Sequence, residues 1–237
     1  MRRMNLAFAT LFAVSLGVSA RVAGAITNAG FEDTINTDTP VDWDTIGSFT
    51  SRLGPFFELE TPEGQRFGLA DTAFALPASP ISAETTLGLP AGTFDAAVGG
   101  SAFGIAMAWQ QVDVNAGDVI EFKCAFLSID PVEALNGDIG FVLIDDVVMT
   151  VFHQTDATVH LPHSSFAMSE SFRTVQVPIT TSGLINIGFG VVDGSSVIGA
   201  SQIAIDDIRI VPEPGSACLL ICAGAMCLRL RRPMRRC

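Results

Sequence analysis

The chain has 237 residues and 49% hydrophobic content, which suits one ordinary folded domain and excludes a disordered polymer. It carries 13 Lys+Arg against 25 Asp+Glu, a net charge of -12, so a binder that works by neutralising nucleic-acid phosphates is excluded as well. The basic residues gather at the two ends: from Ile26 to Val211, 24 acidic residues face only Arg52, Arg66, Lys123, Arg173 and Arg209, a balance of -19.

Residues 1–25 read as a signal peptide. Arg2 and Arg3 precede an apolar run from Leu6 to Val18, followed by small residues ending in Ala23-Gly24-Ala25. That run, at ~1.5 Å per helical residue, falls short of the ~30 Å hydrocarbon layer and fits a cleavable leader. Cleavage is expected after Ala25, with Ala20 as the alternative, and the lack of a nearby Cys excludes a lipid-modified N-terminus.

The body, residues 26–211, alternates apolar and polar positions and is punctuated by Gly, Pro, Asn and Asp, which predicts strands and no amphipathic helix. In chain order the strands are expected near Ile46 to Arg52, Phe56 to Glu60, Arg66 to Ala70, Ala108 to Val114, Val119 to Leu127, Ile139 to Phe152, Phe172 to Ile179, Leu184 to Val192 and Gln202 to Val211. The segment from Asp71 to Ser101, with Pro77, Pro80 and Pro90, reads as loops around at most one strand. Asn115-Ala116-Gly117-Asp118 predicts a hairpin between the strands on either side of it. The same stretch is no EF-hand loop, because Asp118 stands where that loop needs Gly and Cys124 where it needs Glu. So many short strands need two facing sheets, and the fold expected is an all-β antiparallel sandwich of the jelly-roll type.

Catalytic signals are sparse. No Gly-x-Ser-x-Gly occurs. His153, His160 and His163 share one loop-like stretch, but nothing there fixes three zinc ligands on a rigid element, and they read as a surface loop. Cys124 is the body's one cysteine, on the parity of Phe122 and Phe126, and is expected as a buried strand thiol; Cys218, Cys222, Cys227 and Cys237 all lie after it, beyond Val211. A sugar platform normally uses Trp or Tyr, and the body has no Tyr and only Trp43 and Trp109. Trp43 reads as a packing residue, and Trp109, followed by Gln110 and Gln111, as the candidate stacking surface.

Beyond Val211 the chain runs Pro212-Glu213-Pro214-Gly215, an apolar stretch from Ser216 to Leu228, and then Arg229, Arg231, Arg232, Arg235 and Arg236. This order resembles a PEP-CTERM sorting signal over residues 212–237. The resemblance implies transient inner-membrane insertion of the short helix, recognition by an exosortase-type enzyme of a Gram-negative bacterium, cleavage near Pro212-Glu213-Pro214, and delivery to the cell surface or an exopolysaccharide matrix. Arg231 and Arg232 would belong to the cytoplasmic arginine cluster.

The body resembles galactose-binding-like jelly rolls through Asn28-Ala29-Gly30-Phe31-Glu32 followed by Trp43, and through the closing strand Ile205-Asp206-Asp207-Ile208-Arg209-Ile210. In that superfamily the matching acidic residues join a structural calcium site, which implies Ca2+ held by Glu32 and Asp206, with Asp207 as the alternative. The expected function is therefore an exported, non-enzymatic surface or matrix protein. A calcium-dependent carbohydrate-binding module is the alternative, and a glycan hydrolase stands third.

Overall fold

The structure, a computed structural model, describes residues 24–72, 77–129, 137–162, 164–169, 171–194 and 201–212. Most of the expected leader, and the C-terminal segment from Glu213 on with Pro214, Arg231 and Arg232, lie outside the described residues, as does His163.

The chain forms β1 (Thr34–Ile35), β2 (Thr39–Pro40), β3 (Asp44–Ile46), β4 (Ser48–Leu53), β5 (Arg66–Asp71), α1 (Pro80–Leu87), α2 (Thr93–Val98), β6 (Gly104–Val114) and β7 (Val119–Ser128). It continues through β8 (Ile139–Ile144), β9 (Val147–His153), β10 (Val159–His160), β11 (Ala167–Met168), β12 (Arg173–Pro178), β13 (Gly183–Asp193) and β14 (Ser201–Val211). One sheet runs β10-β11-β7-β14-β5-β4, with β12 also on β7, and the facing sheet runs β3-β6-β13-β8-β9. From β5 on, the chain crosses from one sheet to the other at β5–β6, β6–β7, β7–β8, β9–β10, β12–β13 and β13–β14, and the long strands pair antiparallel, as expected for a jelly-roll sandwich.

Period-two patterning decides which side chains meet between the sheets. On β13, Ile185, Ile187, Phe189 and Val191 point inward, against Ile203 and Ile205 of β14 and Phe122, Cys124 and Phe126 of β7. An aromatic chain binds the N-terminal segment to this core, with ring centroids 5.0 Å apart for Phe31–Trp43, 6.1 Å for Trp43–Phe189 and 4.7 Å for Phe122–Phe189. Trp43 is the packing residue its sequence context suggests: it is buried, and its Nε1 donates to Asn28 O at 3.1 Å. Cys124 is fully buried as expected, and burial pushes its thiol up to about 12.

Four expectations change. The Asp71 to Ser101 segment contains two helices, not a strand. Pro80 opens α1 at its first turn and Gly88 closes it in the left-handed region, φ 72°. The buried Glu84 carboxylate then accepts from Gly92 N and Phe94 N, both at 3.0 Å, tying α1 to the start of α2. Next, the Asn115-Ala116-Gly117-Asp118 turn forms, with Asp118 N donating to Asn115 O at 3.0 Å, but it joins no hairpin. β6 leaves it in one sheet and β7 enters the other, so the turn is a corner between layers. Finally, Ile139 to Phe152 is two strands: Asp145 takes φ 58° and turns β8 back into β9. Phe56 to Glu60 is likewise a tight turn, with Phe57 and Glu58 at positive φ and a single bridge between Phe56 and Leu59.

Candidate functional site

The outer face of the five-stranded sheet is only partly covered. Ala83, Leu87, Leu89, Phe94 and Val98 of the helical segment pack on its Ile105, Met107, Ile139, Phe141, Leu143 and Val192. Coverage on both faces explains why β8, Ile139-Gly140-Phe141-Val142-Leu143-Ile144, has no polar position. Beyond the end of α1 the sheet opens into a cleft of about 710 Å³.

Trp109 of β6 contributes to its floor, half-buried and on the same strand face as Met107. Its cross-strand neighbours are Asp44 on one side and Gly188 on the other. Gly188 is required there by space, since a Cβ would stand 3.1 Å from Trp109 Cβ and 2.9 Å from Met107 Cε. Thr85, Thr86 and Gly88 at the end of α1 form one wall, and Asp42 and Asp44 another, with Gln111 and Asn186 also lining it. The charged side chains lining the cleft are these two aspartates. Gln110, turned inward, fixes the start of the domain by exchanging hydrogen bonds with Thr27, taking Thr27 N at 3.1 Å and giving Nε2 to Thr27 O at 3.2 Å. An indole face beside hydroxyl, amide and carboxylate groups is what recognition of a sugar ring requires.

The acidic residues singled out in the sequence form a second cluster. Glu32 and Asp206 both close on the loop at residues 63–66. Glu32 Oε1 accepts from Gln65 N at 2.7 Å and Arg66 N at 2.9 Å. Asp206 Oδ2 accepts from Glu63 N at 2.9 Å, and its Oδ1 from Asp207 N at 2.8 Å. Two glycines admit them. A Cβ on Gly64, whose φ is 59°, would run into the Glu32 carboxylate, and one on Gly30 would lie 3.4 Å from Asp206 Oδ1 and 3.8 Å from Glu32 Cγ. Asp206 is fully buried, and burial raises its carboxyl from 3.8 to about 7 against the opposing pull of its two N–H donors. Asp207 is directed elsewhere: with φ 50° at a bulge in β14, it pairs with Lys123 Nζ at 2.9 Å and lies 3.7 Å from Arg209 Nη1. Of the two aspartates, only Asp206 stands with Glu32.

Ala25 is exposed and directly precedes Ile26, whose side chain packs on the core, while Gly24 N reaches Asp113 O at 2.6 Å. Pro212 is exposed, immediately after β14 ends. His153 and His160 are exposed on separate strands, His153 at the end of β9 and His160 in β10. Among the described residues no group of three His, Cys, Asp or Glu converges as a metal site, and no helix is long and apolar enough to cross a membrane.

No protein-family model matches the chain, and no curated protein matches it. Among solved structures it is similar to a cleaved adhesin domain of Lys-gingipain from Porphyromonas gingivalis, at 11% identity and a TM-score of 0.44, over 81% of this chain and 99% of that one. It is also similar to a carbohydrate-binding module in complex with β-1,4-galactotriose, at 12% identity and a TM-score of 0.40, over 80% and 99% of the two chains. A third is a carbohydrate-binding module specific for non-crystalline cellulose, at 14% identity and a TM-score of 0.38, over 79% and 95%.

Proposed function

We propose that this chain is an exported, non-enzymatic surface or matrix protein whose sandwich binds a polysaccharide in the cleft at Trp109. The observation that carries the reading is the cleft itself: a half-exposed indole beside Gly188, ringed by Thr85, Thr86, Gln111, Asn186 and two aspartates. With Asp42 and Asp44 as its charged lining, the cleft suits a neutral or amino-bearing saccharide and repels a uronate.

Calcium fits the second cluster as a structural ion. Asp206 is a buried carboxylate with no Lys or Arg hydrogen-bonded or ion-paired to it among the described residues, and Glu32 lies beside it across Gly30. These two residues would hold the ion, whose charge would offset the cost of burying Asp206 and clamp the N-terminal segment to the last strand. Export and sorting rest on the leader ending at Ala25 and on the Pro212-Glu213-Pro214, apolar run and arginine order. Intact-mass mapping of protein from the envelope and medium is expected to give termini near Ile26 and Pro212, and a retained C-terminus would remove the sorting reading.

Affinity electrophoresis of the full-length protein through gels containing neutral, amino-sugar and uronate polysaccharides tests the cleft. Retardation by one of the first two, abolished by Trp109→Ala, is expected. Retardation only by uronates would overturn the charge argument. Turnover of a glycan that Asp44→Asn removes would replace the binding reading with a hydrolase.

A further inference from the structure

The core of the sandwich does not stay apolar to its end. A Cβ on Gly140 of β8 would stand 2.9 Å from Ile203 Cδ1 and 3.2 Å from Phe126 Cδ2, and Phe126 stacks on Phe152 at 5.7 Å. These four residues form one layer between the sheets. Two residues further towards the same end the next side chains are buried and polar: Asp138 just before β8, Ser201 of β14, Ser128 of β7 and Gln154 just after β9, joined by Asp193 two beyond Val191. All are buried, Asp138 and Ser201 completely. The pairing of Ile139 with Val192, carried one step on, sets Asp138 beside Asp193 on the same face.

Among the described residues the layer has carboxylates and no Lys or Arg ion-paired to Asp138. Asp138 Oδ1 accepts from Gly194 N at 3.0 Å, but Asp138 Oδ2 and Ser201 Oγ have no hydrogen-bond partner among the described residues. The body's five basic residues are engaged elsewhere: Lys123 with Asp207, Arg209 with Glu121, Arg66 with Ser51, Arg52 with Asp38, and Arg173 over the Phe152 ring. An unpartnered buried carboxylate oxygen is costly, and an all-oxygen set of carboxylates, hydroxyls and an amide is the donor chemistry of a hard divalent cation.

We propose that this polar layer binds a calcium ion, with Asp138 and Asp193 supplying carboxylates and Ser201 a hydroxyl, closing the end of the sandwich between β8, β13 and β14. The site is separate from the Glu32 and Asp206 cluster and does not depend on it.

The test uses full-length protein carrying Asp206→Asn, stripped of metal with EDTA, so that the other cluster is silenced. Calcium chloride is titrated in while thermal unfolding is recorded. A saturable rise in Tm is expected, lost when Asp138→Asn is added and shifted to about tenfold higher calcium by Ser201→Ala. Ser201→Ala removes one neutral oxygen and keeps both carboxylates, so it decides the matter if Asp138→Asn does not fold. No calcium response in the Asp206→Asn protein, or one that Ser201→Ala and Asp138→Asn leave unchanged, would overturn the proposal.

Discussion

Replacing Asp206 by Asn should make the metal-free protein gain stability relative to the parent as pH rises from 4 to 8, although it alters a buried and hydrogen-bonded residue. Burial lifts the Asp206 carboxyl from 3.8 to about 7. A carboxyl whose folded value lies above its unfolded one adds stability that is complete below the unfolded value and is lost as pH rises through the folded value. For Asp206 that window runs from roughly pH 4 to 7, and above it the fold carries an ionised carboxylate in a dry site. At ~1.4 kcal/mol per tenfold the displacement amounts to about 4 kcal/mol, an upper figure because local relaxation and water entry reduce it. Asn is uncharged at every pH, but its Nδ2 replaces one carboxyl oxygen and cannot accept, so either Glu63 N or Asp207 N loses its acceptor at a cost of about 1–3 kcal/mol that does not vary with pH. In urea unfolding with EDTA, the Asp206→Asn protein should therefore be the less stable near pH 4, by about 1–3 kcal/mol, and should gain about 2–4 kcal/mol on the parent between pH 4 and pH 8. Saturating calcium should move the difference back toward the parent at pH 8, since at this cluster only the ionised parent residue gains from the ion. A difference that does not vary between pH 4 and pH 8 in EDTA would refute the reasoning.

Other outcomes follow from single contacts. Glu84→Ala leaves Gly92 N and Phe94 N without their acceptor and should cost about 2–3 kcal/mol in chemical denaturation, with loss of saccharide retention as the wall formed by α1 loosens. Gly188→Val should abolish retention by driving a side chain against Trp109, while Leu184→Val, on an exposed position of the same strand, should not. Cys124, buried and with its thiol at about 12, should resist a thiol reagent at pH 8 in the native protein and react within minutes in denaturant.

Strand existence was legible because period two is imposed by the sheet itself. β5, β6, β7, β12, β13 and β14 appear within a few residues of where alternation places them. Pairing was not legible: the Asn115-Ala116-Gly117-Asp118 turn has hairpin chemistry, yet nothing local tells β6 and β7 that their partners are β13 and β14. The helices were missed because α1 has only eight residues, two of them Thr, and buries Ala83 and Leu87 without a repeated apolar stripe. Their signals were the Pro80 start, the Gly88 stop and the acidic Glu84, each weak alone. At the sites, Trp109 was readable by residue type, but Asp42, Asp44 and the wall at Thr85 and Thr86 were not, since they reach the cleft from distant segments. Ile144-Asp145-Asp146 and Ile205-Asp206-Asp207 each hold an Asp at positive φ where a strand turns or bulges, Asp145 at 58° and Asp207 at 50°, though at different positions of the triplet. The polar layer at Asp138 and Ser201 emerges only when both sheets are in register.

Because the chain holds just two tryptophans, an oxidation footprint tests the cleft directly. Full-length protein is treated with N-bromosuccinimide with and without a saturating neutral or amino-sugar polysaccharide that retards it, and peptides are mapped by mass spectrometry. Trp109 should be oxidised in the free protein and protected by the polysaccharide, with Trp43, 6% exposed, unmodified in both. Equal oxidation of Trp109 with and without bound polysaccharide would contradict the account.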